Sequence, residues 1–124
     1  MHADDAAVNV NFWVTPNSAN LDPDSGGLVL YHKAAPEDWP YDVNYTGDDT
    51  DHIEKYLEGQ KSRKTIVPYA ENRAIIFNSS LFHETDTIRF KPGYENRRIS
   101  ITLLFGQRTA RRILKRPPTP KSYE

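Results

Sequence analysis

Two histidines and one aspartate have residue types and a spacing that could hold a metal ion. His2 and Asp4 are two positions apart, and residues two apart in an extended segment point to the same side. His83 lies in the segment LFHE (81–84), which is predicted to be a strand. Two imidazoles and one carboxylate leave coordination positions open on an ion, an arrangement that suits Fe(II) when it must also bind a bidentate co-substrate and O2. The sequence therefore predicts an Fe(II) site at these three residues.

A cation and a hydroxyl occur together on the later segment RRISITLLFG (97–106). Alternation along a strand puts Arg98, Ser100 and Thr102 on one face. A buried guanidinium is costly without an anionic partner, and its planar fork matches a carboxylate. We predict that Arg98 binds a carboxylate of a dicarboxylate ligand, with a further hydrogen bond from Ser100. Arg97 is the alternative anchor, but it lies on the opposite face from Ser100.

Short segments rich in β-branched and aromatic residues predict the strands that would position these side chains. The first is AVNVNFWV (7–14), whose alternation puts Asn9 and Asn11 on the same face, where they could line a pocket. The remaining predicted strands are 28–32, 65–69, 73–78, 81–84, 88–90 and 97–106.

One short helix is predicted at 51–60, where apolar residues recur at helical spacing and a glycine supplies a stop. Residues 15–27 and 33–50 have no clear period and are predicted to be loops. Many short strands with a single helix indicate an all-β sandwich or jelly-roll. We expect this domain to cover residues 1–106 and a basic, proline-rich tail to cover 107–124.

Composition excludes several classes of function. The chain has 124 residues and no cysteine, so disulfides, thiolate metal sites and cysteine nucleophiles are impossible. No apolar run approaches the ~20 residues that span a bilayer, and the N-terminus has no signal-peptide pattern, so we expect a cytoplasmic protein with no membrane partner. The basic run RRILKR (111–116) is short and has no interleaved aromatic residues, so we do not expect nucleic-acid binding.

The order of these motifs resembles a known family. His-x-Asp, a distal His and then Arg-x-Ser are similar to the Fe(II)/2-oxoglutarate-dependent dioxygenases, particularly their prolyl-hydroxylase-like branch. SGGLVLY (25–31) looks like the family's glycine-rich loop entering a strand. RAIIFNSSLFHE (73–84) resembles the strand and turn that deliver the distal His, and ENRRISITLLFG (95–106) resembles the strand that carries the 2-oxoglutarate-binding Arg. The resemblance covers about residues 2–106.

This resemblance implies a double-stranded β-helix of the jelly-roll or cupin-like type, with one short helix. It implies a dioxygenase, in particular a hydroxylase, that couples the decarboxylation of the co-substrate 2-oxoglutarate to the oxidation of a substrate that remains open. The implied residues are His2, Asp4 and His83 for Fe(II), and Arg98, Ser100, Tyr31 and Asn11 for 2-oxoglutarate.

The chain departs from the family at its start. Members carry a helical region and at least one further strand before His-x-Asp, whereas the histidine here is residue 2. The sequence therefore looks like a C-terminal catalytic core without the usual N-terminal part. We expect His2 to fray at the terminus and an open sheet edge to pair with a second copy as a homodimer. Two other interpretations remain: a non-catalytic jelly-roll that binds a partner or dimerises, and a cupin-type metal-binding domain that does not use 2-oxoglutarate.

Overall fold

Strands dominate residues 1–108, the part of the chain that the computed structural model describes. The elements of this part, in chain order, are β1 Val8–Trp13, β2 Leu28–Ala34, α1 Tyr41–Tyr45, α2 Thr50–Gly59, β3 Lys64–Val67, β4 Ala74–Asn78, β5 Leu81–Thr85 and β6 Ser100–Phe105. They form two three-stranded sheets, which we call the β1 sheet (order β4-β1-β6) and the β2 sheet (order β3-β2-β5). Every strand pair is antiparallel.

The centre of each sheet comes from the first half of the chain and its edges from the second half. β1 pairs with β4 and β6, and β2 pairs with β3 and β5. This interleaving brings residues from distant parts of the sequence to one place. It also brings the acidic half of the chain, which has 12 acids against 2 bases in residues 1–60, against the basic half.

One face of each sheet contributes to a shared apolar cluster. Trp13 of β1, Leu28 of β2, Phe77 of β4 and Tyr69 are all buried in it. Trp13 and Tyr69 stack with ring centroids 5.1 Å apart. Because this cluster joins residues of both sheets, the faces that carry it are the inner faces of a sandwich.

Helix α2 covers the opposite face of the β2 sheet. Ile53 and Leu57, at the helical spacing that the sequence predicts for an apolar face, are buried in a second cluster with Phe82 of β5. Asp49 caps the helix, since its side chain accepts a hydrogen bond from the His52 N–H at 3.2 Å. The helix therefore begins one residue before the predicted range and ends at Gly59.

The mostly β fold predicted from the sequence is confirmed, and six of the seven predicted strands are present with ends shifted by a few residues. Two predictions are wrong. Residues 88–90 do not form a strand, because only the isolated bridge between Asn20 and Phe90 forms there. The expectation of a single helix and a loop over 33–50 misses the five-residue helix α1, and β2 extends to Ala34. The predicted tail lies outside the described residues, apart from Gln107 and Arg108. No helix within residues 1–108 is long and apolar enough to cross a membrane.

Candidate metal and anion site

The N-terminal residues are held against β5 by backbone hydrogen bonds. The His2 N–H donates to the His83 carbonyl at 3.1 Å, and the His83 N–H donates to the His2 carbonyl at 2.9 Å. The Asp4 N–H donates to the Ser79 carbonyl at 2.8 Å. The segment is thus part of the folded structure rather than the frayed terminus expected from the sequence. The reciprocal bridge fixes His2 directly opposite His83, which brings the two ring systems together.

The three predicted metal ligands converge. Asp4 Oδ2 lies 3.3 Å from His83 Nε2, and Asp4 Oδ1 lies 3.6 Å from His2 Nε2. One ligand atom from each residue lies within 4.8 Å of the other two. Carboxylate oxygens and unprotonated ring nitrogens are all acceptors, so at these separations they require a positive charge among them. A shared proton or a metal ion can supply it.

The ring of His83 is oriented for this role. Its Nδ1 lies 2.9 Å from the Leu81 carbonyl oxygen, which can only accept a hydrogen bond. Nδ1 therefore carries a proton. Nε2, on the side of Asp4, can then donate to that carboxylate when the ring is protonated, or offer its lone pair to a metal ion when the ring is neutral. Phe77 packs edge-on against the same ring at a centroid distance of 4.9 Å, and His83 is 5% exposed. Packing and hydrogen bonding thus select the tautomer that metal ligation needs.

The carboxylate of Asp4 is held ionised. Burial by itself raises the pKa of this carboxyl, but hydrogen bonds from His2 and His83 and the attraction of their rings lower it well below its usual range. The Asn9 amide also donates to Asp4 Oδ2. Asn9 is 1% exposed and its own Oδ1 accepts no hydrogen bond from the part of the chain that the structure describes. The sequence indicated that Asn9 could line a pocket. Its hydrogen bond to Asp4, a metal-ligand candidate, is evident only in the three-dimensional structure.

Arg98 provides a cation in the same cavity. Its Nε donates to the Gly26 carbonyl at 2.5 Å and its Nη2 to the Gly27 carbonyl at 3.1 Å. The guanidinium lies over the rings of Trp13 and Tyr69, at 5.6 and 5.8 Å from their centroids. Burial lowers the pKa of Arg98, although a guanidinium stays charged at any physiological pH.

No carboxylate within residues 1–108 forms an ion pair with Arg98. Within the described residues its partners are neutral carbonyls and aromatic rings, so none of them neutralises the charge of this half-buried side chain. Arg97, the alternative anchor, instead lies over Tyr94, 5.3 Å from the ring centroid. Arg98 therefore lines the cavity, and Arg97 does not.

The glycine-rich loop places the carbonyls that hold Arg98. At Gly27 a Cβ atom would lie 1.8 Å from the Val67 carbonyl oxygen, so no side chain fits without moving the backbone. Gly26 has φ of +80°, a conformation that favours glycine. The loop can therefore pass close under β3 and point its carbonyls at the guanidinium.

Polar side chains of β1 and β6 line the wall between the cation and the metal ligands. Thr102 Oγ1 donates to Asn11 Oδ1 at 2.6 Å, and Ser100 Oγ lies 3.4 Å from the same oxygen. Predicted residues Ser100 and Asn11 thus lie in the cavity. Thr102 was placed on the correct face by alternation but was not among the predicted ligand-binding residues.

These groups enclose a small cavity between the sheets, with a volume of about 170 Å³. This is below the ~300–1,000 Å³ of typical pockets for drug-sized ligands, so the occupant must be small. The lining includes all three metal-ligand candidates together with Arg98, Ser100, Thr102, Asn9, Asn11 and Glu84.

Tyr31 is the one predicted site residue that the cavity does not include. It lies toward α2 and packs against the cluster that contains Phe82. Its hydroxyl donates to Glu84 Oε1 at 2.7 Å, and burial followed by this bond to a carboxylate raises the pKa of Tyr31. Tyr31 therefore reaches the site only through Glu84, which lines the cavity.

Comparison with known proteins adds no relative. The chain matches no protein family, no curated protein and no solved structure. Function must therefore be inferred from the geometry of the cavity.

Proposed function

We propose that this chain is an Fe(II)- and 2-oxoglutarate-dependent oxygenase of the hydroxylase type, built on a jelly-roll double-stranded β-helix. One observation carries the proposal. Three metal-ligand candidates line a cavity of about 170 Å³ together with a guanidinium that has no anionic partner among residues 1–108. A small molecule with one group for the metal and a carboxylate for the cation would satisfy both, and 2-oxoglutarate is such a molecule.

The donor set fits Fe(II). His2, Asp4 and His83 supply two imidazole nitrogens and one carboxylate, and this set leaves coordination positions for a chelating co-substrate and O2. The Leu81 carbonyl fixes the ring of His83, and the Asn9 amide holds one oxygen of Asp4. Outer contacts of this kind are typical of metal sites, in which they orient the ligands.

Each part of the cavity has a separate task in this proposal. Fe(II) with O2 would supply the oxidising power that couples 2-oxoglutarate decarboxylation to substrate oxidation. Arg98 would bind the distal carboxylate of 2-oxoglutarate through its free guanidinium edge, and Ser100 would add a hydrogen bond. The apolar cluster around Trp13 would exclude water from this end of the cavity, which strengthens the ion pair.

The test is an anaerobic titration with Fe(II) and 2-oxoglutarate, followed by visible absorption. A charge-transfer band that requires both additions is expected, and His83→Ala should abolish it. Arg98→Ala should raise the 2-oxoglutarate concentration needed for half the signal by about 10- to 100-fold, because a hydrogen-bonded charge contributes roughly 1.5–3 kcal/mol. Arg97→Ala is the matched control, since it removes an adjacent guanidinium outside the cavity and should change nothing.

The outcomes separate the alternative interpretations. Metal binding with no response to 2-oxoglutarate, and no effect of Arg98→Ala, would favour a cupin-type metal-binding domain. Absence of metal binding in the folded wild-type chain would refute the proposal and favour a non-catalytic binding domain. Formation of succinate under air, dependent on both His83 and Arg98, would extend the result from binding to activity.

A further inference from the structure

The outer face of the β1 sheet is apolar and exposed. The strand registers place on it Val8, Val10 and Phe12 of β1, Ala74 and Ile76 of β4, and Ile101, Leu103 and Phe105 of β6. Ile76 is 71% exposed, Phe105 54% and Leu103 48%. An antiparallel sheet with one solvated face normally puts its polar residues there, so this sheet has the reverse arrangement.

No charged residue of the three strands falls on this outer face. Asn78, opposite Val8, is the single polar side chain that the registers place among the apolar ones. The face therefore offers no charged side chain to a partner that binds through ion pairs. A flat apolar surface is complementary to another copy of itself, as an isologous twofold interface requires.

The size of the face agrees with an interface between two copies. The exposed apolar side chains offer on the order of 500 Å², at the upper end of the ~300–600 Å² that the largest patch on a typical monomer reaches. A standard interface buries ~800 Å² on each partner, so the face supplies more than half of that area before any rim contacts. The outer edges of β4 and β6 border the face and could add such contacts.

The composition of residues 109–124 does not match this apolar surface. Residues 109–124 contain Ile113 and Leu114 among five basic residues and three prolines. The preceding residue, Arg108, donates hydrogen bonds to the Tyr45 hydroxyl and the Ala35 carbonyl. Both acceptors belong to residues of the cluster under α2, away from the outer face of the β1 sheet.

We propose that two copies of this chain pack the outer faces of their β1 sheets against each other. Sheets packed face to face lie about 10 Å apart with strands aligned or crossed, so both arrangements allow the side chains to interdigitate. The row Ile76–Val10–Leu103 crosses the middle of the face and would lie at the centre of the interface. The sequence suggested pairing through an open sheet edge, whereas this surface uses the face. The proposal does not depend on the metal site.

The test is the mass of the full chain in solution, measured by light scattering after size exclusion across roughly 1–200 µM. Twice the chain mass of 14.3 kDa is expected at the upper concentrations. Ile76→Lys and Leu103→Lys should each give a monomer with an unchanged circular dichroism spectrum. Ile66→Lys is the matched control, because Ile66 is a 50% exposed isoleucine on β3 of the other sheet, and it should stay dimeric.

Three results would overturn the proposal. The first is a wild-type monomer at every concentration. The second is association that Ile66→Lys disrupts as strongly as Ile76→Lys, which would indicate non-specific aggregation. The third is a monomer that dimerises only after Ile113→Lys and Leu114→Lys, which would assign the face to the C-terminal segment. Fe(II) binding by Ile76→Lys should match wild type, so failure of this proposal is distinguishable from failure of the proposed function.

Discussion

The outer faces of the two sheets differ in whether their apolar side chains are buried. In the β2 sheet, the face away from the sandwich is sealed by α2, and Phe82 and Ile53 are fully buried there. In the β1 sheet, the face away from the sandwich carries apolar side chains without a cover in the described structure, and Ile76 is 71% exposed. The inner face of the β1 sheet carries Asn9, Asn11, Ser100 and Thr102 instead of a fully apolar core.

This difference shows where function and stability compete. A polar inner face is unfavourable for folding unless its groups are hydrogen-bonded, and Asn9 has one buried oxygen without a partner among the described residues. Departures from consistent patterning are typical of functional sites. We therefore assign stability mainly to the outer side of the β2 sheet with its helix. Chemistry is assigned to the cavity between the inner faces, where β1 and β6 supply the polar lining and β5 supplies His83.

The largest expected effect tests that assignment of stability. Phe82→Ala should lower the free energy of unfolding by about 3–5 kcal/mol, because it opens a cavity in the cluster under α2. Ile76→Ala, on the exposed face, should change it by less than about 0.5 kcal/mol when measured at concentrations at which the chain is monomeric. Urea unfolding followed by circular dichroism measures both. Equal losses at the two positions would contradict the comparison.

The second prediction uses two buried asparagines, one in each region. Asn9→Ala should weaken Fe(II) binding by about 10- to 100-fold, because it removes the amide that holds Asp4. Asn44 is also 1% exposed, and its amide donates to the Pro36 carbonyl at 2.7 Å. Its Oδ1 likewise has no partner within residues 1–108. Asn44→Ala should reduce stability and leave Fe(II) affinity unchanged.

Isothermal titration with Fe(II) under nitrogen distinguishes these two variants. If both lowered the affinity equally, the contact between Asn9 and Asp4 would have no specific role, and the loss would reflect general destabilisation.

The smallest effect concerns Tyr31, which lies between the two regions. Its pKa is raised in the folded chain, so its contribution to stability is complete below the unfolded pKa of about 10 and is lost as the pH rises through the folded value. Tyr31→Phe should cost about 1 kcal/mol at pH 7, since the hydrogen bond to Glu84 disappears. The difference between wild type and variant should shrink above pH 10 in urea unfolding experiments. A difference that grows with pH would contradict this account.

Part of the site could be predicted from the sequence because strand alternation fixes which residues share a face. It placed Arg98 with Ser100 and Asn9 with Asn11, and the structure brings these pairs into one cavity. Alternation does not show which face is buried. In β1 the polar face is the buried one, and this depends on the position of β1 between two strands and opposite the β2 sheet.

Other features had no local signal. Helix α1 follows Pro40 and is one turn long, so it has no apolar period to recognise. The side chain of Phe90 packs against Tyr69, with ring centroids 5.1 Å apart, although Phe90 belongs to no strand. An apolar residue at this position therefore does not indicate a strand. The exclusion of Tyr31 from the cavity depends on α2 and Glu84, which are far from it in sequence.

The bridge between His2 and His83 has a topological consequence. Two of the three ligand candidates lie within the first four residues, and the third follows about 80 residues later, so an ion held by all three would close a loop of that length. A covalent cross-link across such a loop restricts the unfolded chain by roughly 4–5 kcal/mol. A bound ion would act as a reversible tie between the start of the chain and β5, and a chelator would open it as a reductant opens a disulfide.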